Sequence, residues 1–562
     1  MDKQAAVIML QGTASDVGKS MIATALCRLF SQDGWRTAPF KSQNMANNSY
    51  VTLDGKEIGR AQGVQAEACG LAATTDMNPI LIKPTGDMHS QIVVHGKPYA
   101  QMSAWTYRED FLPQAQQLVM DALNRLRAQQ DIVVIEGAGS PAEINLKSRD
   151  IVNMNLAGWA DAPVLLIADI DRGGVFASLV GTLQLLEPHE RERVKGLIIN
   201  KFRGDPALLQ PGIDWLEQYT GIPVLGVLPH DTDLQLDAED SLALETRRYH
   251  HDPAKELDIA IIRYSRISNF TDFDMLEAEP DVSVRYVEHA GQLGVPDVVI
   301  LPGSKDTLSD LQYMRERGLD VALQQLRDYK PVPLIGICGG YQMLGYTLTD
   351  PGGYDSPHIR TEPGLNWLPV TTVFAAEKKT VVVEGHLRSE ALRMLEPISS
   401  EETTPALIPV TGYEIHMGET ICAETEHHQP LFTLHHVAEV VNDEEIKESD
   451  TASTITSTPE TRKVEDSKVE TDWQNAGFDG CISPDGSVWG TYLHGIFDND
   501  LFRRHWLNIL RQQKGLEPYP VTVQTEPYRQ QAFDHMTELV REHLDMEQIY
   551  EIVRASIERD EQ

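Results

Sequence analysis

Nine residues, Gly12-Thr13-Ala14-Ser15-Asp16-Val17-Gly18-Lys19-Ser20, constrain the fold of this chain more than any other stretch. They stand between an apolar, β-rich run, Ala6–Leu10, and a helical run, Met21–Phe30. A glycine-bearing loop so placed turns backbone N–H groups and the positive end of a helix dipole toward one point, which makes a cradle for phosphate. In such a cradle Lys19 reaches the outer phosphates and the Ser20 hydroxyl ligates Mg²⁺. The usual spacing asks for glycine at position 13; here Thr13 stands there and the glycine is one residue earlier, at Gly12.

The unit calls for a parallel sheet covered by helices, and the chain supplies the strands. Ala6–Leu10, Ile132–Glu136, Val164–Ala168, Lys195–Asn200 and Val224–Leu228 are short apolar runs, mostly followed by helix-like segments. That alternation predicts a doubly wound α/β layer over residues 1–235. A polar linker is expected over 236–256. A second α/β alternation, with strands at Ile259–Ile262, Asp297–Leu301, Pro333–Ile337 and Val488–Leu493, fills 257–508. Residues 509–562 are expected as a helical tail in which Phe533, Met536, Val540 and Leu544 share a face. Two domains suit a chain of 562 residues with 41% hydrophobic and 23% charged residues.

The formal net charge of −36 argues against a nucleic-acid binder, which needs a surplus of Lys and Arg to neutralise phosphates. Six of those units come from Asp443–Asp472, which carries ten acidic and four basic residues and almost no large apolar side chains. Such a stretch buries too little to offset its ordering entropy and is expected to be a disordered insertion. The five cysteines lie far apart without a CxxC pair, so neither a disulfide framework nor a zinc site is expected. No apolar run suggests a signal peptide or membrane span, and the expectation is a cytoplasmic protein with no membrane partner.

Two strand ends extend the phosphate site. Glu136 precedes Gly137-Ala138-Gly139, where a carboxylate can hold Mg²⁺; Asn200-Lys201 ends another strand, where an amide can pair with an adenine edge. A simply capped strand end is an equal reading of each. In the second half, Cys338 follows the strand Pro333–Ile337 and opens Gly339-Gly340-Tyr341-Gln342. A nucleophile at a tight strand-to-helix turn needs small neighbours, and a helix N-terminus favours its thiolate. Its base should be a histidine distant in sequence. His494 is best placed, after Val488–Leu493 and before Gly495. Gly303, at the end of another strand, is placed to offer an oxyanion a backbone N–H beside that of Gly339.

These residues carry a resemblance. Gly336-Ile337-Cys338-Gly339-Gly340-Tyr341-Gln342 and Tyr492-Leu493-His494-Gly495 resemble class I, triad-type glutamine amidotransferase domains. The Gly-Thr-x-x-x-Val-Gly-Lys loop resembles that of the dethiobiotin synthetase-like amidoligases, which accounts for Thr13. The fused order, with Phe40-Lys41-Ser42-Gln43-Asn44-Met45-Ala46-Asn47-Asn48, Ala168-Asp169-Ile170-Asp171-Arg172-Gly173-Gly174 and Asn200-Lys201-Phe202-Arg203-Gly204-Asp205, is similar to the cobyric acid synthase family over nearly the whole chain. The resemblance implies ATP and Mg²⁺ as cofactors, glutamine as nitrogen donor, and a corrinoid polycarboxylate as substrate. It implies amidation of the four peripheral carboxylates b, d, e and g of adenosylcobyrinic acid a,c-diamide. Lys41 joins Lys19 at the transferred phosphoryl group, and Asp169, Asp171 and Arg172 are candidates to face the corrin, a strand-end turn being an equal reading. Most amidotransferase domains place a Glu two residues after the His; here Ile496 stands there, and Glu414 is the candidate to orient the imidazole. Two rival readings stay open: the related a,c-diamide synthase, and a non-catalytic nucleotide switch, which would be expected to have a damaged nucleophile site. The oligomeric state stays open as well.

Overall fold

In the computed structural model, residues 4–85, 89–231, 250–356, 359–396, 407–422, 428–437 and 477–560 are described. The expected insertion at 443–472 and most of the expected linker at 236–256 lie outside the described residues.

The first half is built on a six-stranded, all-parallel sheet. Its order is Val224–Pro229, Val194–Phe202, Val164–Asp169, Ala6–Gly12, Ile132–Glu136 and Thr37–Phe40. Ala6–Gly12 lies inside the sheet and is buried at every position, because helices cover both faces. The edge strand Thr37–Phe40 has no sequence signal of its own: it is four residues long and contains Pro39, which an edge position tolerates. A smaller sheet, Gln43–Met45, Ile80–Pro84, His89–Val94 and Lys97–Ser103, projects from the end of this layer.

The second half carries another six-stranded sheet, ordered Val282–Val287, Leu257–Ile262, Val298–Leu301, Leu334–Ile337, Val488–Thr491 and Cys481–Ile482, with only the last strand antiparallel. Beside it runs an antiparallel pair of long strands, Val370–Leu387 and Ile408–Cys422, that extends the domain toward the first half.

The C-terminal segment is not a free tail. The helix Thr525–His543 packs on the helix Lys19–Gln32 that follows the phosphate loop, and Met546–Asp560 packs beside it. Phe533, Met536, Val540 and Leu544 are buried together with Ile22, Leu26 and Phe30. Arg28 pairs with Asp534 at 2.9 Å and Asp33 with Arg541 at 3.0 Å. The chain thus closes on its own first domain. Among the described residues, no helix is long and apolar enough to cross a membrane.

Candidate active sites

The phosphate loop lies at the C-terminal end of the first sheet. Gly12 and Thr13 still belong to the ladder, Thr13 N–H donating to Ile167 O at 2.9 Å, so the cradle itself begins after them. Gly18, at φ 98°, turns the chain into the helix; a Cβ there would lie 2.1 Å from Asn200 Nδ2. Lys19 Nζ reaches back over the loop to Ala14 O at 3.1 Å and Gly139 O at 3.3 Å.

Glu136 is the hub of this site. It accepts from Ser20 Oγ at 2.8 Å, from Lys41 Nζ at 3.0 Å and from Gln65 Nε2 at 2.7 Å. Three other amide oxygens, Gln11 Oε1, Gln65 Oε1 and Asn153 Oδ1, are buried without a hydrogen-bond partner. Asn153 and Gln11 crowd Gly137, next to Glu136. Hydroxyl, carboxylate and amide oxygens are the hard donors that Mg²⁺ takes, so the set fits that ion. Sequence reading missed Gln65, because a lone glutamine inside a helix carries no motif.

Asn200 has a different place from the one expected. Its Nδ2 donates to Val17 O at 2.9 Å and its Oδ1 accepts from Lys201 N at 2.8 Å, so one end of the amide braces the phosphate loop and the other is engaged at its own strand end. Asp169, Asp171 and Arg172 form a rim beside the same loop. Asp169 pairs with Lys201 at 2.9 Å, Asp171 with Arg203 at 2.7 Å, and exposed Arg172 lies 3.8 Å from Asp16. These ion pairs fit the strand-end turn of the two readings.

In the second half, Cys338 adopts φ 52°, ψ −108°, a strained conformation for a non-glycine residue, at the step from Leu334–Ile337 into the helix Gly339–Met343. The surroundings leave no room for side chains: a Cβ on Gly340 would meet Leu301 O at 1.9 Å, and one on Gly336 would meet Tyr341 Cα at 2.6 Å. A Cβ on Gly339 would lie 2.9 Å from Ser304 N, and one on Gly303 would lie 3.4 Å from His494 Cε1. The loop Gly303–Ser304 and the turn Cys338–Gly339 therefore meet beside the imidazole.

His494 is fully buried and lies beside Cys338, whose thiol donates to Ile415 O at 3.7 Å. Its Nδ1 lies 2.7 Å from Asp272 Oδ2, and Asp272 Oδ1 accepts from Gly495 N at 3.0 Å. Burial alone would push the imidazolium down; the Asp272 charge and hydrogen bond, followed by Cys338, raise it instead to about 10. Asp272 is therefore the orienting carboxylate, and the expectation for Glu414 is corrected. The reason is strand alternation. Tyr413 stacks its ring on His494 at 5.1 Å, so its neighbour Glu414 points to the opposite face, where it pairs with Lys379 and lies 3.8 Å from His416. Asp272 sits on a short 3₁₀ turn, Phe270–Phe273, with no spacing that ties it to His494.

That turn is held from the other half of the molecule. Phe270 N donates to Asn48 Oδ1 at 3.2 Å, and Ser49 N donates to Asn269 Oδ1 at 2.9 Å. Asn269 Nδ2 in turn lies 3.4 Å from His494 Nε2. The Asn44–Asn48 stretch thus reaches the second site.

The comparisons agree with this geometry. Residues 8–243 match the CobQ/CobB/MinD/ParA nucleotide binding domain, and residues 258–502 match the CobB/CobQ-like glutamine amidotransferase domain. A cobyric acid synthase from Geobacillus sp. (strain WCH70) is 49% identical over 544 residues, covering 97% of each chain. One from Klebsiella pneumoniae (strain 342) is 47% identical over 547 residues, covering 97% of this chain and 98% of its own. With a phosphate-loop site and a Cys–His–Asp site in one polypeptide of matching length, the chain belongs to the cobyric acid synthase family.

Proposed function

We propose that the chain is a glutamine- and ATP-dependent amidoligase that converts the b, d, e and g carboxylates of adenosylcobyrinic acid a,c-diamide to amides, giving adenosylcobyric acid. The observation that carries the reading is the joining of the two sites: the Cys338–His494–Asp272 constellation is braced by Asn48 and Ser49 of the half that holds Ser20, Lys41 and Glu136.

In the second domain the Cys338 thiolate attacks the side-chain amide carbon of glutamine. Backbone N–H groups at Gly339 and the Gly303–Ser304 loop face the oxyanion that forms. His494, kept protonated by Asp272, gives its proton to the departing ammonia, and water then releases glutamate from the thioester. In the first domain a substrate carboxylate attacks the γ-phosphorus of ATP and ADP leaves. Ammonia then attacks the acyl phosphate carbon, and phosphate departs to leave the amide. A carboxylate is a poor electrophile with a poor leaving group, so phosphorylation is what makes amidation feasible. Lys19 and Lys41 neutralise charge on the transferred group. Ser20 and Glu136, with the amide oxygens of Gln65, Gln11 and Asn153 near them, would hold Mg²⁺, which supplies further charge neutralisation on the phosphates when bound.

The test is incubation of the a,c-diamide with glutamine and ATP, with product mass followed over time. Four successive exchanges of hydroxyl for amino are expected, one at each carboxyl group. Arrest after fewer, or no reaction while glutamine is still hydrolysed, would overturn the assigned substrate.

A further inference from the structure

Cys338 shares its cavity with three lysines, Lys83, Lys305 and Lys378. Lys83 comes from the small projecting sheet of the first half; the other two come from the second. Buried Glu57, also of the first half, takes Lys83 on one carboxylate oxygen and Lys378 on the other. Burial would raise the Glu57 carboxyl, but the two ammonium groups hold it well below the usual carboxylate range, so it is ionised. Lys305 spans the domain boundary to a neutral partner, Gln91 Oε1, at 2.9 Å. Asp355 also lines the cavity, but burial first, and then Asp306, push its carboxyl up to about 7, so it is a weak counter-charge.

Two ammonium groups thus share one firmly ionised carboxylate with a third lysine in the same cavity, and the excess positive charge lies in a recess. Burial and the two neighbouring ammonium groups bring Lys305 down to about 7. Burial likewise lowers Lys83, to about 8. Holding such an excess out of water is costly unless an anion completes it. The recess opens on the nucleophile, so the anion it suits is one carried a few bonds from the reacting amide. Glutamine has one such group.

We propose that Lys305, with Lys83 and Lys378 behind it, binds the α-carboxylate of the glutamine whose amide meets Cys338, so that the first domain completes the glutaminase pocket. This rests on the reading of Cys338 as the glutaminase nucleophile. Free glutamate, the product, carries the same group and is held by the same lysines.

The test compares glutamine with 4-aminobutanamide, which keeps the amide and the amine but lacks the α-carboxylate. In Lys305→Met, kcat/KM for glutamine should fall at least tenfold, through KM, while that for 4-aminobutanamide changes less than twofold; Lys305→Arg should recover most of the loss. Lys83→Met should act in the same direction. An equal fall for both substrates, or no fall, would overturn the subsite. On the unaltered protein, glutamate should shield Cys338 from alkylation at concentrations at least tenfold below those needed with 4-aminobutanoate, and equal shielding would also overturn it. If the unaltered protein released ammonia from neither amide, the glutaminase reading itself would fall and take the subsite with it.

Discussion

Replacing Asp272 by Asn tests the corrected triad directly. The substitution keeps size and shape but removes the charge that His494 Nδ1 meets at 2.7 Å, and it can present the wrong tautomer to the thiol. The structure sets the scale. His494 is raised from its usual 6.5 to about 10, with Asp272 ahead of Cys338 among the groups that raise it. At 1.36 kcal/mol per pH unit that span is on the order of 5 kcal/mol. If half of it belongs to Asp272, the imidazolium that accompanies the Cys338 thiolate loses about 2–3 kcal/mol of support, or roughly 100-fold in rate. Glutamate release should therefore fall by about 100-fold or more, while amidation driven by added ammonia persists. The pair also contributes stability, and the sign follows from the raised imidazole. Its contribution is full below pH 6.5 and is lost as pH rises through about 10, so the variant's stability deficit should shrink over that interval. Glu414→Gln is the control, because Glu414 faces away from the imidazole. A fall of less than fivefold in Asp272→Asn, or an equal fall in Glu414→Gln, would refute the reasoning.

Cys338→Ala should abolish glutamine-dependent amidation yet leave the ammonia-dependent reaction, measured as product mass with ammonium salt at alkaline pH; loss of both would mean that the sites are not separable. Lys19→Ala should stop amidation with either nitrogen donor, since Lys19 serves the phosphoryl group alone, and full ammonia-dependent turnover would remove that assignment. Glu57→Gln should destabilise the protein by about 3–5 kcal/mol, because it leaves Lys83 and Lys378 buried without their counter-charge. Glu57 is depressed in the folded state, so its contribution is present above about pH 4.5 and is lost as pH falls below it. Denaturant titrations should accordingly show the deficit at neutral pH and its decline in acid.

What could be read from the chain was local. Ala6–Gly12 and Leu334–Ile337 are apolar runs that end in glycine-bearing turns, and the backbone demands of those turns are written in adjacent residues: Gly18 at φ 98°, and Gly336 and Gly340 flanking Cys338. His494 was legible because a histidine between a buried strand and a glycine is an unusual juxtaposition. The edge strand Thr37–Phe40 was not, because propensity argues against a strand with proline in it and only its parallel partner Ile132–Glu136 overrides that. Glu414 was misread because adjacency to a strand histidine says nothing about which face a side chain takes; the stacking of Tyr413 on His494 decides it.

The contacts that escaped altogether share one property: they link residues across long separations in the chain. Asp272 meets a histidine 222 positions away, Asn48 meets Phe270 across another 222, and Glu57 meets Lys378 across 321. None of these pairs leaves a periodicity or a motif, because each is set by how the two sheets dock and not by any local turn. The consequence is chemical. A glutaminase whose orienting turn and lysine-lined pocket both depend on the first domain has its nucleophile in working order only when the halves are seated. Ammonia then leaves Cys338 beside the domain that consumes it. Lys83 and Lys378, which share the single counter-charge of Glu57, line the same recess, so NH₄⁺ is disfavoured there relative to neutral ammonia, the form able to attack an acyl phosphate.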